Sequence, residues 1–496
     1  MQPKPAPALR AFALSLLSVA VLSACVSSGG IAPQVSPRPI GTTLGSAASS
    51  QETSFPTERW WTALGDPALD QLVDTALRDN PSLTVAAMRL QRARIVIDAA
   101  EAAYGPSVTL NANPTQQRFS ENYTVPKPLA GSVRTNNRLA LDFAGEIDFW
   151  GKHKAAFEGA QAQEKLAAAE LQSARLAVST SIVRAWGELD RITHQRALVA
   201  RQMAVRDSAL NLQRLREKAG FEPGVDRAQT EGSLATLRSE LRSLEERALT
   251  QRHLLATLAG LEPAAGDALP DPALRGLPPG LPTALPAELL ARRPDVAASR
   301  WRVEYATRDA AVTKAGFYPN VNIVGFLGFQ SLGLDKWLEN GSRTYSIGPA
   351  ISLPIFDAGR LRATYGMKTA DIDAAVAQYN QTLLDGLREI VDSLTQLQAV
   401  DAQMSEQQTV RDKSAEVSSL LAKREQRGII NHLPVLSADL QEIGAERSLI
   451  DLQARRFDAR VQLVRAIGGD GAAALKDLLP ATARSNDKTD AAKEHS

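Results

Sequence analysis

The chain has 496 residues and a formal net charge of +1, so no strong global field draws it towards nucleic acid or anionic lipid. Hydrophobic residues make up 44%, charged residues 22% and aromatic residues 5%, a balance that suits Ala- and Leu-rich helices better than a large aromatic core. The single cysteine, Cys25, excludes an intrachain disulfide. After the first thirty positions no stretch of about 20 apolar residues occurs, which excludes an ordinary transmembrane helix but not membrane strands, whose signal is far weaker.

The N-terminus combines Lys4 and Arg10, an apolar run from Ala11 to Leu22, and then Leu22-Ser23-Ala24-Cys25. A basic start, a short apolar core and small residues before a cleavage point describe a secretory signal peptide over 1–24. The small residues directly before cysteine resemble the bacterial lipobox. That resemblance implies S-diacylglycerol and N-palmitoyl groups on Cys25 and a lipid-held segment over 25–57. Buried acyl chains at about 0.8 kcal/mol per CH₂ would hold it firmly. Val26, rather than Asp, resembles lipoproteins sent to the outer membrane. The other reading is an ordinary signal peptide with an incidental thiol.

An internal repeat organises the rest. Asn80-Pro81 recurs as Arg293-Pro294, and Tyr104-Gly105-Pro106-Ser107-Val108 as Phe317-Tyr318-Pro319-Asn320-Val321. Phe149-Trp150-Gly151-Lys152 matches Phe356-Asp357-Ala358-Gly359-Arg360, and Leu258-Ala259-Gly260 matches Ile467-Gly468-Gly469. The repeats are expected over 58–262 and 287–470. Pro263, Pro270, Pro272, Pro278, Pro279, Pro282 and Pro286 mark a linker over 263–286 that can be neither regular helix nor central strand.

Each repeat predicts a short helix, two strands and two long helices. In the first, strands are expected near 106–119 and 137–149. There Leu139, Leu141, Phe143, Ile147 and Phe149 alternate with Arg138, Asp142, Glu146 and Asp148. In the second they are expected near 319–331 and 344–356, with Tyr345, Ile347, Ile351, Leu353 and Ile355 on one face. Four such strands fit either a tilted bilayer crossing or the half-buried sheet of a water-soluble domain.

Helices are expected over 152–218 and 225–260, then 360–427 and 433–467, the longer ones reaching roughly 100 Å at 1.5 Å per residue. Leu171, Val178, Ile182, Leu189 and Ile192 form a three-and-four seam, as do Ile372, Val376, Tyr379, Leu383, Leu387, Ile390, Leu394 and Leu397. The return helices carry their own seams, interrupted by Gln251 and Arg447. Gly220 and Gly428 end the longer helices, where a left-handed backbone reverses the chain. The polar stretch over 471–496 is expected to be disordered.

Four strands alone would expose two unpaired edges to hydrocarbon, at several kcal/mol per group, and a four-stranded ring is too narrow to close. Several copies must therefore share one barrel. Three would give twelve strands.

The run Trp60-Trp61-Thr62-Ala63-Leu64-Gly65-Asp66-Pro67-Ala68-Leu69-Asp70-Gln71-Leu72 resembles the opening signature of the TolC-like outer membrane factor family, in its NodT or OprM-like lipoprotein branch. Arg292-Arg293-Pro294-Asp295-Val296 and Leu353-Pro354-Ile355-Phe356-Asp357-Ala358-Gly359-Arg360 resemble its second-repeat motifs. The resemblance implies a mixed, mostly α fold: a long coiled-coil helical barrel plus a four-strand contribution to a trimeric twelve-stranded transmembrane β-barrel. It implies a homotrimer in the bacterial outer membrane reaching into the periplasm. A periplasmic adaptor docks near the Gly220 and Gly428 turns and links it to an inner-membrane pump. The function implied is a passive exit channel of a drug-efflux (RND-type) or type I secretion system.

The family closes its periplasmic end at the helix tips. By resemblance, Leu433 stands at an apolar constriction. Ser437 occupies the position that is commonly acidic, a departure from the family pattern, and Asp439 follows two residues later. Three luminal Asp439 carboxylates would repel one another; the bland alternative is a solvated helix face.

No enzyme site is expected. His153, His194, His253, His432 and His495 are scattered without metal-ligand spacing, so no metal or cofactor is expected beyond the lipid on Cys25, and no nucleic acid. Asn122 and Asn340 match a glycosylation pattern in the two inter-strand loops, without a bacterial use. A lipid-anchored adaptor or coiled-coil scaffold is the alternative function.

Overall fold

The computed structural model describes residues 27–38, 59–221, 224–278 and 292–469. The signal peptide, Cys25, the 39–58 stretch, the end of the proline-rich linker and the tail lie outside them. The elements in order are α1 (Pro67–Asp79), α2 (Pro81–Ala102), β1 (Ser107–Arg118), β2 (Val133–Glu146), α3 (Lys152–Lys218), α4 (Val225–Leu258), α5 (Pro294–Ala315), β3 (Asn320–Leu332), β4 (Arg343–Ser352), α6 (Arg360–Gln426) and α7 (Leu433–Ala466). No described helix is long and apolar enough to cross a membrane.

The chain forms two compact units. The first holds Met1–Pro37, Gln91–Leu166 and Arg300–Tyr379, and contains the sheet. Its strands run in the order β1-β2-β3-β4, every neighbouring pair antiparallel. Two strands differ from the sequence expectation. β2 starts at Val133, because residues 133–136 pair with Arg118 to Thr115, and it stops at Glu146 although apolar alternation continues to Phe149. The cause is Asp148, whose carboxylate accepts the backbone N–H groups of Lys152 (2.6 Å) and Lys154 (2.9 Å) and so caps α3. β4 stops at Ser352 for the same reason. Asp357 accepts the N–H groups of Gly359 and Leu361 to cap α6, and Pro354 has no N–H to offer a ladder. Leu353 and Ile355 therefore lie outside the strand.

In the first unit the described N-terminal segment is extended against α6. The backbone N–H groups of Gln34 and Val35 both donate to Asp373 Oδ1 at 2.8 Å, and Arg362 donates to the Ser27 carbonyl at 2.7 Å.

The second unit holds Arg38–Leu90, Ala167–Ser299 and Asn380–Ser496. Its core joins Trp60, Trp61, Leu64, Leu69 and Val73 to Val178, Ile182, Trp186 and Leu189 of α3, Leu244 and Leu255 of α4, and Phe457 and Val461 of α7. The heptad seams are thus packing surfaces. Their polar interruptions are satisfied locally: Gln251 donates to the Ala185 carbonyl at 2.9 Å, and Arg447 pairs with Glu240 at 2.6 Å.

The duplication reappears as paired contacts in this unit. Asn80 and Arg293, the residues before the repeated prolines, each reach the last carbonyl of a return helix. Asn80 Nδ2 donates to Leu258 at 2.7 Å and Arg293 Nη1 to Ala466 at 2.8 Å. Gly260 packs on the backbone of Asp79 and Asn80, and Gly468 on that of Arg292 and Arg293, so closely that a Cβ would collide at 2.7 and 3.0 Å. Burial works against the Arg293 charge, but Asp295 (2.7 Å) and Glu389 (2.8 Å) more than offset it and raise its pKa.

Asp66 ties the opening signature together. Only 3% exposed, it accepts from the Ala68 and Leu69 N–H groups at the start of α1, from Trp186 Nε1 at 2.9 Å and from the Ala273 N–H at 2.8 Å. The Ala273 contact pins the first part of the linker, which the Arg275 and Gly276 N–H groups also hold by donating to the Leu64 carbonyl. Asp66→Ala would orphan several buried donors and is expected to destabilise the unit by about 2–4 kcal/mol, with Asp66→Asn costing less. Unfolding followed by helical circular dichroism checks this; equal midpoints for parent and Asp66→Ala would refute it.

Candidate functional site: a two-faced sheet and two hairpin tips

The register sorts the sheet's side chains by chemistry. One face carries Val108 and Leu110 of β1, Leu139, Leu141 and Phe143 of β2, Ile323, Leu327 and Phe329 of β3, and Tyr345, Ile347 and Ile351 of β4. Leu110, Leu141, Leu327 and Tyr345 form one continuous cross-strand row. Among the described residues nothing covers this face: Tyr345 is 80% exposed and Ile347 77%. A contiguous exposed apolar surface of this kind marks a membrane or partner contact.

The opposite face is polar. Thr109, Asn111, Asn113 and Thr115 of β1 share it with Arg138 and Asp142 of β2, Asn322 and Gln330 of β3, and Thr344 and Ser346 of β4. Arg138 and Asp142 form an ion pair there, Asn111 donates to the same carboxylate at 2.7 Å, and the guanidinium lies 5.0 Å from the Phe326 ring centroid. β1 and β4 are the two edges.

Aromatic residues gather at the end where the strands meet the long helices. Trp150 stacks on Tyr318 with centroids 4.7 Å apart and donates its indole N–H to the Pro319 carbonyl, while Phe149 and Phe356 stand exposed. Amphipathic rings favour the boundary between hydrocarbon and water.

The turn glycines have the expected conformation, with φ of 78° at Gly220 and 72° at Gly428. Both close the same motif. Gly220 and Phe221 N–H groups donate to the Glu217 and Arg216 carbonyls, and Gly428 and Ile429 N–H groups to those of Glu425 and Arg424. Each glycine is followed by an exposed apolar residue, Phe221 (78%) and Ile429 (66%). At the first tip Arg227 bridges Glu217 and Glu231 at 2.8 and 2.9 Å. The Arg214 guanidinium beside Glu231, with Arg227 adding, holds that carboxyl below the usual carboxylate range. At the second, His432 Nδ1 lies 2.7 Å from Glu425 Oε1.

Leu433, Ser437 and Asp439 do not converge. Leu433 and Ser437 are one turn apart, half-buried and exposed respectively. Asp439, two residues on, turns to the other side of α7, where it accepts a hydrogen bond from Ser418 of α6. Among the described residues no group of His, Cys, Asp and Glu could hold a metal ion.

A model of the family described as "Outer membrane efflux protein" matches residues 72–261 and 285–469, the two repeats. The chain is 34% identical to the fusaric acid resistance protein FusA of Burkholderia cepacia, over 73% of this chain and 69% of that protein. It is 28% identical to the multidrug resistance outer membrane protein MdtP of Escherichia coli, over 84% of this chain and 87% of that one. Among solved structures, the outer membrane protein VceC of Vibrio cholerae matches with a TM-score of 0.76 and 33% identity, covering 84% of this chain and 99% of that one. The outer-membrane channel OprN matches with a TM-score of 0.78 and 26% identity, covering 89% and 99%.

The two faces of the sheet respond differently to charge. Ile347→Arg places a cation on the apolar face and is expected to cost about 2–4 kcal/mol of stability in lipid. Ser346→Arg, on the polar face, is expected to cost far less. Denaturant unfolding from lipid vesicles measures both, and equal losses would contradict the assignment of the faces.

Proposed function

Since the chain belongs to the outer membrane efflux protein family, we propose that it forms the outer-membrane exit channel of a tripartite efflux assembly, a passive conduit for small, drug-sized molecules. The observation that carries this reading is the sheet, apolar and uncovered on one side, polar on the other, with an open edge on β1 and on β4. Hydrocarbon tolerates neither edge unpaired, so β4 of one copy pairs with β1 of the next. Because the order is β1-β2-β3-β4 with alternating direction, that junction is antiparallel like the others. A homotrimer closes the ring with twelve strands and its polar face inward. The multidrug relative favours efflux over protein secretion.

In this reading Cys25 carries the S-diacylglycerol and N-palmitoyl groups, and the extended segment along α6 leads away from that anchor. The exposed Phe221 and Ile429 beyond the Gly220 and Gly428 turns are the contact points for a periplasmic adaptor, which connects to an inner-membrane pump. The chain's task is conduction rather than catalysis, and the pump supplies the energy.

The gate lies at the second tip, where Leu433 and Ser437 share a side of α7. Asp439 shapes it indirectly, by holding α7 to α6 through Ser418. Planar-bilayer recordings of the purified protein test this. The parent is expected to form discrete channels, and Leu433→Ala to raise conductance severalfold. Asp439→Ala and Ser418→Ala should act alike, since each removes the same contact. A loss of cation preference in Asp439→Ala alone would instead place that carboxylate in the lumen.

The anchor has its own test. A Cys25→Ser chain with an ordinary signal-peptidase site is expected to remain in the outer membrane through its strands. Its recovery as a water-soluble monomer after membrane fractionation would overturn the barrel.

A further inference from the structure

Arg343 opens β4 on the apolar face, opposite Phe329 of β3. It is exposed, and its guanidinium makes no ion pair or hydrogen bond among the described residues. An unpaired guanidinium at the edge of a hydrocarbon-facing wall is free to take an anionic partner. The apolar face there has an open recess of about 440 Å³, lined by Leu110, Leu139, Leu141, Leu327, Phe329 and Arg343 itself. Ala140 and Gly328, a cross-strand pair, also line it.

We propose that this recess and Arg343 together bind a phosphorylated lipid of the outer leaflet, an acyl chain in the recess and a phosphate on the guanidinium. The inference rests on the sheet being a membrane wall, as proposed above.

Depth supports it. The ends of β2 and β4 that lead into α3 and α6 face the helices, so Arg343, at the opposite end of β4, lies at the loop end. The ten residues of β4, at roughly 3.3 Å each and a tilt of about 40°, climb roughly 25 Å, the height of a barrel's apolar band. Arg343 thus stands at the outer headgroup boundary, two residues above the exposed ring of Tyr345.

A neighbouring copy cannot supply the missing anion from its pairing strand. β1 reads Ser-Val-Thr-Leu-Asn-Ala-Asn-Pro-Thr-Gln-Gln-Arg and contains no carboxylate. Nor would that copy cover the recess, because copies join at the edges and the recess lies on the face. Guanidinium binds phosphate through paired N–H donors, which makes a phosphate headgroup the fitting partner.

The test uses the full protein in phosphatidylcholine nanodiscs, titrated with a bis-phosphorylated glycolipid (lipid A), with its dephosphorylated form, or with inorganic phosphate. Bound lipid is counted by native mass spectrometry alongside thermal unfolding. Lipid A is expected to be retained and to raise the melting temperature of the parent. Arg343→Gln should lower retention about fivefold or more and abolish the rise, with Arg343→Lys in between. The dephosphorylated lipid should behave on the parent as lipid A does on Arg343→Gln, and inorganic phosphate should have no effect. Equal retention by parent and Arg343→Gln overturns the site, and an equal thermal rise from inorganic phosphate alone overturns its lipid character. Channel conductance of Arg343→Gln should match the parent, and a changed conductance would move the guanidinium into the lumen and overturn the assignment. Failure of the channel reading is distinct, because the parent itself would then conduct nothing.

Discussion

The backbone of β1 and β4 imposes the constraint on which the rest depends. Each strand is paired on one side only, and among the described residues no strand pairs with its outward N–H and C=O groups. In water such groups are hydrated at little cost, whereas in hydrocarbon each unmet group costs several kcal/mol. A chain whose sheet has a bare apolar face therefore cannot be complete by itself. In the proposed channel, oligomerisation is a condition of folding into the membrane rather than a later embellishment.

Much of this was legible in the sequence, because it is written in period. Alternation over β2 and β4 assigned side chains to faces without knowledge of any partner, and the three-and-four seams of α3, α4, α6 and α7 identified packing surfaces in the same way. The duplication was legible too, since Asn80-Pro81 and Arg293-Pro294 stand at corresponding places. What they do there was not. Their partners, the carbonyls of Leu258 and Ala466, lie 178 and 173 residues away, and no local pattern announces a contact of that span.

The remaining misreadings share one cause, a polar side chain choosing a backbone or side-chain partner over the pattern around it. Asp148 and Asp357 end strands that apolar alternation would have prolonged, by taking N–H groups of the next helix. Gln251 and Arg447 looked like flaws in heptads and are crosslinks between helices. Asp439, a gate candidate by resemblance, has a partner in Ser418 that its position in the sequence does not announce. Asp66 drew notice only within a signature, although its acceptors hold α1, α3 and the linker in register. Arg343 drew none, since a charged residue at a strand's first position reads as loop.

The helix caps at Asp148 and Asp357 have a bearing on where such a protein can reside. By stopping β2 at Glu146 and β4 at Ser352, they set the width of the oily girdle from within the chain, independently of the surrounding lipid. A bilayer of different thickness would have to stretch or thin around it, at fractions of a kcal/mol per Å. Two carboxylates thereby act as a ruler, matching the molecule to a thin membrane and penalising its residence in a thicker one.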